Sequence, residues 1–450
     1  MIEKFKSKLN SDSNLKELLQ GSAITFALKM LGMFLGYVVV YLISKKNGAD
    51  GVGYYSLINQ FLLILGVISV LGTNTSVLRL VGQYNNSDDA PQMHTLYRRI
   101  LGIIVPLSIA LGIFVFFFAP SIAQYIFKSL TYTEGIRIVG LALPFFALYT
   151  VGIEFIRGLK KLQISEFIRS VSRPLVLITC LLLFWNDTIP VIYIIYFIGF
   201  AVALNALLST GSVLFFLNKI KRPDTPKLST QELVKVSSPM MVTAVSAILM
   251  STLSLFFIEF YCTTEDVGIY SVALRLAQLI SIALIVVNTI SAPKFSELFW
   301  AKKKQELQKI IRQSVKLIFW SSLALSAIVI FGSEWILGVF GKEFEAGQLT
   351  LIILVLGQLF NAATGSVGLF LNMSGNQKIL RNTALIALLV QCVLAVILIP
   401  SMDILGAAIA ATAAGMLWNI LCTFHVSRKM NFKTYYFPFI TGRKHMNSNK

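Results

Sequence analysis

Long apolar segments, separated by short charged loops, recur along the whole of this 450-residue chain. A helix of about 20 apolar residues spans the hydrocarbon core of a bilayer, and each segment is close to that length. Only 13% of the residues are charged, whereas soluble domains carry roughly 25%. The sequence therefore predicts an all-α polytopic membrane protein with about twelve transmembrane helices. We place them at residues 21–43, 54–80, 100–118, 136–157, 166–184, 190–217, 236–260, 267–293, 310–331, 349–372, 379–399 and 404–427.

Positive charge is distributed unevenly between the loops. When residues near the end of a span are counted with the adjacent loop, 29 of the 39 Lys and Arg residues fall on the side of the two termini, 5 on the opposite side and 5 inside the predicted spans. Lys and Arg concentrate in cytoplasmic loops, so this bias predicts cytoplasmic termini in a bacterial cytoplasmic (inner) membrane. The net charge of +18 is then explained by topology, and we expect no nucleic-acid partner.

A short internal repeat divides the chain into two halves. The sequence Val-Gly-Tyr-Tyr-Ser-Leu at 52–57 recurs as Val-Gly-Ile-Tyr-Ser-Val at 267–272, and the same spacing aligns Arg79 with Lys294. Parallel repeats are typical of transporters that hold substrate between two halves. We predict an N-terminal six-helix lobe at 1–217, a cytoplasmic interlobe linker at 218–235, a C-terminal six-helix lobe at 236–427 and a cytoplasmic tail at 428–450.

Cations inside the predicted spans are the candidate substrate-binding residues. Burying an ionised side chain in a bilayer is costly, so such residues usually face a cavity or a partner. Guanidinium groups match phosphate oxygens with two parallel hydrogen bonds, so a surplus of buried cations favours an anionic cargo. The candidates are Arg275 near the midplane, Lys29 at a comparable depth, Arg173, Arg79 and its repeat equivalent Lys294.

Two charged groups inside the N-terminal half are expected to pair locally. Arg169 and Arg173 are four residues apart, with Glu166 three residues before Arg169, so an α-helix places all three on one face. Glu154 and Arg157 are three residues apart at the end of span four. We expect Arg169 and the Glu154–Arg157 pair to be neutralised or to lie at the membrane interface.

Motifs for enzymatic chemistry, metals and cofactors are not found in the sequence. The four cysteines form no Cys-x-x-Cys pair, and no P-loop for direct ATP coupling is present. The acids predicted to lie outside, Asp50, Glu265 and Asp266, sit in tight loops without a cluster. We therefore expect a transporter rather than an enzyme, with no cofactor.

Three segments resemble one family of transporters. They are Gly-Ala-Asp-Gly-Val-Gly-Tyr-Tyr-Ser at 48–56, Asp-Val-Gly-Ile-Tyr-Ser at 266–271 and Asn-Met-Ser-Gly-Asn-Gln-Lys at 372–378. These segments resemble the polysaccharide flippases, the O-antigen and capsule repeat-unit translocases of the multidrug/oligosaccharidyl-lipid/polysaccharide exporter superfamily. The resemblance implies two six-helix bundles, alternating access and a polyprenyl-diphosphate-linked oligosaccharide as cargo. Membrane lipids, a polysaccharide polymerase and chain-length machinery are the partners it implies.

One position departs from that family. Many of its members carry an acidic–basic pair just before the aromatic run in span seven, where this chain has Ser254-Leu255 before Phe256-Phe257. Alternatives also remain open. They are a multidrug exporter of the same superfamily, a flippase for the cell-wall precursor (usually with two further helices) and, less favoured, a membrane sugar polymerase or ligase.

Overall fold

The computed structural model describes residues 13–85, 90–184, 190–221 and 230–436, and these are helical with no strand among them. We number the α-helices in chain order. They are α1 (Ser13–Ser69), α2 (Thr73–Tyr84), α3 (Gln92–Phe117), α4 (Ala119–Ile126), α5 (Thr133–Gly158), α6 (Leu162–Glu166), α7 (Arg173–Leu183), α8 (Val191–Leu217), α9 (Thr230–Tyr261), α10 (Thr264–Gln278), α11 (Ile282–Trp300), α12 (Lys304–Phe331), α13 (Ser333–Gly338), α14 (Gln348–Thr364), α15 (Val367–Met373) and α16 (Gln377–Lys429).

The helices account for the predicted spans. Within the described ranges, eight helices are long and apolar enough to cross a membrane. Two of these, α1 and α16, each join two predicted spans through a kink, at Gly48 (φ 61°) and Asp403 (φ 48°). The remaining two predicted spans correspond to α9, whose apolar part is Ile248–Tyr261, and to the stretch that contains α6 and α7.

The turn between α9 and α10 shows how sequence ends one span and starts the next. The backbone N–H of Asp266 donates to Thr263 Oγ1 at 3.2 Å, and the backbone N–H of Thr263 donates to Asp266 Oδ2 at 3.1 Å. This reciprocal capping box satisfies two of the N–H groups that a helix start leaves unpaired. The capping box fixes the start of α10, the helix that contains the second copy of the repeat.

The chain forms two compact units. Unit 1 comprises residues 1–47 and 58–245, and unit 2 comprises 48–57 and 246–450. Residues 222–229 of the predicted linker lie outside the described residues, as do 437–450 of the predicted tail. The lobe boundaries at 217 and 236 stay a prediction.

The two copies of the repeat contact each other inside unit 2. A Cβ added to Gly53 would lie 2.0 Å from the carbonyl oxygen of Thr264, and one added to Gly268 would lie 2.0 Å from that of Ala49. Gly53 is equivalent to Gly268, and Ala49 is equivalent to Thr264. The contact of Gly53 with Thr264 is therefore repeated by Gly268 with Ala49, as in a contact across a twofold axis. Only glycine permits so close an approach of two backbones.

The segment after α16 packs into unit 2. Phe432 is 6% exposed and belongs to a core cluster, with its ring centroid 5.3 Å from that of Phe370. Gln308 of α12 both accepts from Lys433 N at 2.8 Å and donates to Lys433 O at 2.9 Å. The backbone N–H of Tyr436 donates to Ala363 O at 2.8 Å. We call residues 430–436 the C-terminal strap.

Candidate functional site

A π-helical segment interrupts the fifth predicted span. The segment is Phe167–Ser172, between α6 and α7. The π-helix closes hydrogen bonds over five residues instead of four, and such turns occur frequently at functional sites. Arg169 lies within this segment and Arg173 directly follows it. The two arginines have different partners.

Arg169 is neutralised by an acid from another helix. Its Nη2 donates to Glu154 Oε1 of α5 at 2.5 Å. Arg157 lies 3.5 Å from the other carboxylate oxygen, which confirms the expected Glu154–Arg157 pair. Glu166 accepts from Ser170 Oγ at 2.5 Å, and the expectation that it shares a face with Arg169 and Arg173 stays a prediction.

Arg173 has a neutral partner. Its Nη2 donates to Asn59 Oδ1 of α1 at 2.5 Å, and its Nε is buried without a hydrogen-bond partner. Among the residues that the structure describes, Arg173 forms no ion pair. The amide of Asn59 is neutral, so it orients the guanidinium without offsetting its positive charge.

A second amide contacts Ser172, the residue before Arg173. Ser172 Oγ donates to Asn205 Oδ1 of α8 at 2.5 Å. Asn205 is fully buried at 0% exposed, and its Nδ2 has no hydrogen-bond partner. Buried amide N–H groups are nearly always paired in proteins, so this one calls for an explanation.

Arg275 occupies a comparable position in unit 2. It lies in the last turn of α10 and is part-buried, with its guanidinium carbon 6.0 Å from the ring centroid of Tyr55. A cation close to an aromatic face is stabilised by the quadrupole of the ring.

Neutral groups lie at the position in span seven that departs from the family resemblance. Ser254 is 3% exposed and accepts from Gln391 Nε2 at 3.3 Å. Gln391 is 1% exposed. This part of unit 2 is therefore a neutral hydrogen-bonded contact between α9 and α16.

The other three candidate cations are exposed. Lys29 lies in α1, Arg79 in α2 and Lys294 in α11. Arg275 and Lys294 are 19 residues apart along consecutive helical segments, roughly 28 Å at 1.5 Å per residue, so they do not form one site in unit 2. The binding roles of all five candidates stay predictions.

Sequence reasoning found the charges and missed their neutral partners. Asn59 and Asn205 are amides inside apolar spans, where polar side chains are rare and usually bonded. That signal could have identified both. The π-turn that separates Arg169 from Arg173 has no comparable signal in the sequence. Within the described ranges, no group of three or more His, Cys, Asp or Glu side chains could hold a metal.

Two sequence profiles match the chain. The profile of the polysaccharide biosynthesis protein family matches residues 18–299, and the MatE profile matches residues 239–397. The first match covers more than half of the chain and includes both repeat copies, Arg173 and Arg275.

Three named proteins are similar to this chain in sequence. The chain is 23% identical over 445 residues to stage V sporulation protein B of Bacillus subtilis, a match that covers 91% of this chain and 83% of that protein. It is 30% identical over 149 residues to the capsular polysaccharide biosynthesis protein CapF of Staphylococcus aureus, covering 32% and 37% of the two chains. A probable low-salt glycan biosynthesis flippase of Haloferax volcanii is 23% identical over 209 residues, covering 46% and 44%. The chain thus matches less than half the length of the last two relatives.

Solved transporters share the fold. The lipid II flippase MurJ in an inward closed conformation superposes with a TM-score of 0.74 at 18% identity, over 91% of this chain and 87% of that one. The MATE multidrug transporter DinF-BH superposes with a TM-score of 0.66 at 18% identity, over 92% and 96%. The predicted fold, an all-α membrane protein with about twelve transmembrane helices in two six-helix lobes, is confirmed. Together the profile, the relatives and the fold establish that the chain belongs to the polysaccharide biosynthesis protein family, the polysaccharide flippases of the multidrug/oligosaccharidyl-lipid/polysaccharide exporter superfamily.

Proposed function

We propose that this multi-pass membrane transporter moves a polyprenyl-diphosphate-linked oligosaccharide from the cytoplasmic to the outer leaflet by alternating access. The product would serve O-antigen or capsule synthesis in a bacterial inner membrane. The observation that carries the proposal is Arg173, a part-buried guanidinium that donates to the neutral Asn59 and forms no ion pair in the described residues. A diphosphate offers the acceptors and the charge that such a group lacks.

The relatives support a lipid-linked sugar as cargo. Their names include a capsular polysaccharide biosynthesis protein, a probable glycan biosynthesis flippase and, among solved structures, a lipid II flippase. A cargo of this kind would bring the protein into contact with membrane lipids and with the polymerase and chain-length machinery that consume the flipped unit. No part of the proposed mechanism requires a catalytic residue or a cofactor.

The second candidate function is export of drugs. The MatE profile match at 239–397 and the fold of DinF-BH favour it. A site for a cationic drug needs an available carboxylate, but Glu154 of unit 1 is held between Arg169 and Arg157. Arg173, which pairs with no carboxylate in the described residues, therefore favours an anionic cargo.

Complementation separates the two functions. The full chain would be expressed in a strain that lacks its own repeat-unit flippase, and the same strain with an empty vector would serve as the control. We expect surface polysaccharide to return and the sensitivity to cationic drugs to stay unchanged. Drug resistance without surface polysaccharide would contradict the proposal and support the multidrug alternative.

A further inference from the structure

We infer that the first half of α12 and the C-terminal strap form a binding surface for the headgroup of an anionic phospholipid. We call it the α12–strap surface, and all of its residues belong to unit 2. They are Lys309, Arg312, Lys316 and Trp320 of α12 and Lys433 and Tyr436 of the strap. The inference does not depend on the cargo, because it concerns the lipid that surrounds the transporter.

Three cations share one exposed face of α12. Lys309, Arg312 and Lys316 are three and four residues apart, so the helix places them above one another, and all three are exposed. Ile311 and Val315 lie between them in sequence but are each 2% exposed and belong to a core cluster of unit 2. The positive face of α12 is therefore directed away from the core.

The exposed face of α12 changes from cationic to apolar along the helix. Beyond Lys316 its exposed residues include Trp320, Ile328 and Phe331. Exposed apolar side chains of a membrane helix contact acyl chains, and Trp is enriched where acyl chains meet headgroups. Lys309 lies about 10 Å before Lys316 at 1.5 Å per residue, a distance comparable to the headgroup layer. The three cations are thus placed at the depth of lipid phosphates.

The strap runs along α12 beside these cations. Both backbone polar groups of Lys433 are hydrogen-bonded to Gln308, which holds its exposed side chain next to the first turns of α12. Three residues later, the ring centroid of Tyr436 lies 5.4 Å from Lys316 Nζ and 5.6 Å from the ring centroid of Phe319. The strap therefore adds a fourth cation and an aromatic ring to the same surface.

The positive charge of this surface has no protein counter-charge. Glu306 is the one acidic residue of α12, and it pairs with Lys303 at 3.7 Å. Lys309, Arg312 and Lys316 form no ion pair with any described residue.

Charge and position together identify the occupant. Guanidinium groups bind phosphate oxygens through two parallel hydrogen bonds, and clusters of Lys and Arg beside a membrane attract anionic lipids. The cations continue directly into the exposed apolar face that begins near Trp320, so a headgroup at Arg312 would lay its acyl chains along that face. A soluble anion would leave the apolar part of the surface unused. The arrangement therefore fits an anionic phospholipid of the leaflet on the side of the C-terminus.

Quenching of Trp320 by brominated lipids tests the surface locally. The full-length protein would carry Trp320 as its only Trp, through Trp185→Phe, Trp300→Phe, Trp335→Phe and Trp418→Phe. It would be reconstituted in phosphatidylcholine bilayers that contain increasing fractions of brominated phosphatidylglycerol or brominated phosphatidylcholine. A second protein that retains only Trp335, which follows Glu334 in α13, is the positional control. Lys219→Gln/Lys221→Gln, two exposed cations after α8, is the control for lost charge.

We expect phosphatidylglycerol to quench Trp320 at lower fractions than phosphatidylcholine, and to show no such preference at Trp335. One Lys or Arg strengthens binding to an anionic lipid surface about fivefold, so Arg312→Gln and Lys433→Gln should each lower the preference by about that factor. Arg312→Lys should retain most of it, and Lys219→Gln/Lys221→Gln should retain all of it.

Three results would overturn the α12–strap surface. One is equal quenching of Trp320 by the two lipids. Another is an unchanged preference in Arg312→Gln or Lys433→Gln. The third is an equal loss of preference in Lys219→Gln/Lys221→Gln, because the total charge of the protein would then account for the effect.

Discussion

At the scale of single residues, the sign and the surroundings of each buried charge decide what it can bind. Arg169 is paired with Glu154, whereas Arg173 donates to the neutral side chain of Asn59. A buried charge without a counter-charge is costly in a bilayer unless a ligand supplies one. We therefore expect these two arginines to differ in function as well as in structure.

The ring of Tyr55 supports Arg275, and this contact can be tested. Tyr55→Phe keeps the aromatic face below the guanidinium and should leave polysaccharide export unchanged, whereas Tyr55→Leu should lower it. Arg275→Glu should abolish export, because it places a negative charge where the cargo phosphate is expected. Surface polysaccharide would be compared at equal protein levels in the membrane. Full export by Arg275→Glu would rule out an anion-binding role for this residue.

The thiol of Cys262 should be slow to react. Cys262 lies between α9 and α10, where burial, followed by the charges of Asp403 and Asp266, raises the pKa of its thiol to about 12. The thiolate is the reactive form, so alkylation should be slow at pH 8 and should rise about tenfold per pH unit below the pKa. Asp403→Asn should accelerate it. Iodoacetamide labelling of a variant that retains only Cys262, followed from pH 7 to 10, measures the rate, and a rate independent of pH would contradict this prediction.

At the scale of helices, the repeat produces a contact that the sequence alone does not reveal. Ser56 and Ser271 are equivalent positions 215 residues apart, and their hydroxyls are hydrogen-bonded at 3.0 Å. Gly53 and Gly268, one turn before each serine, meet backbone to backbone. Tight packing of this kind leaves no room for a methyl group.

Variants at this contact give a prediction with internal controls. Gly53→Ala should lower the thermal stability and the export, because the new Cβ would lie 2.0 Å from the Thr264 carbonyl oxygen. Gly211→Ala, with nothing within 4 Å of the new Cβ, should be neutral. Oxidation of a Ser56→Cys/Ser271→Cys pair should arrest export until reductant is added, because alternation requires repeat-related helices to move.

A second buried serine pair serves as the control for cross-linking. Ser291 of α11 and Ser314 of α12 lie 3.1 Å apart through their hydroxyls, also within unit 2. The corresponding Cys pair should oxidise without stopping export. Uninterrupted export by the oxidised 56–271 pair would show that this contact stays closed throughout transport.

The C-terminal strap gives a prediction of stability. Truncation after Lys429 removes Phe432 from the core cluster and the Gln308–Lys433 hydrogen bonds, whereas truncation after Tyr436 leaves both in place. Removing a buried phenylalanine costs about 3–5 kcal/mol, so the first truncation should lower the Tm markedly and the second should not. Thermal unfolding in detergent measures both. Equal Tm values would mean that the strap contributes nothing to unit 2.

Helix positions followed from the sequence, but side-chain partners did not. The thickness of the bilayer sets the length and apolarity of a spanning helix. The long apolar helices therefore lie where the sequence predicts spans. The pairing of Arg169 with Glu154 joins residues 15 positions apart in the chain, and the contact of Gly53 with Thr264 depends on helix packing. Both arise from tertiary contacts, which single-sequence patterns do not encode.

At the scale of the whole molecule, the distribution of charge sets the topology. The described helices provide for an even number of spans, so the two termini should lie on one side of the membrane. Of the 39 Lys and Arg residues, 29 fall on that side, so we expect the short loops that carry them to be cytoplasmic. The surplus of positive charge is thus located away from the loops that would face outward.

Reporter fusions would test this topology directly. A phosphatase that is active only outside the cytoplasm should be inactive after Lys227 and active within 332–348, where only Lys342 is basic. A cytoplasmic reporter should give the opposite pattern at the same two sites. Replacing Lys302, Lys303 and Lys304 by Gln should weaken the retention of the loop before α12, because short cytoplasmic loops are held by their Lys and Arg residues. An active phosphatase after Lys227 would place the segment between the two halves outside the cytoplasm. That result would contradict an arrangement of two parallel six-helix lobes.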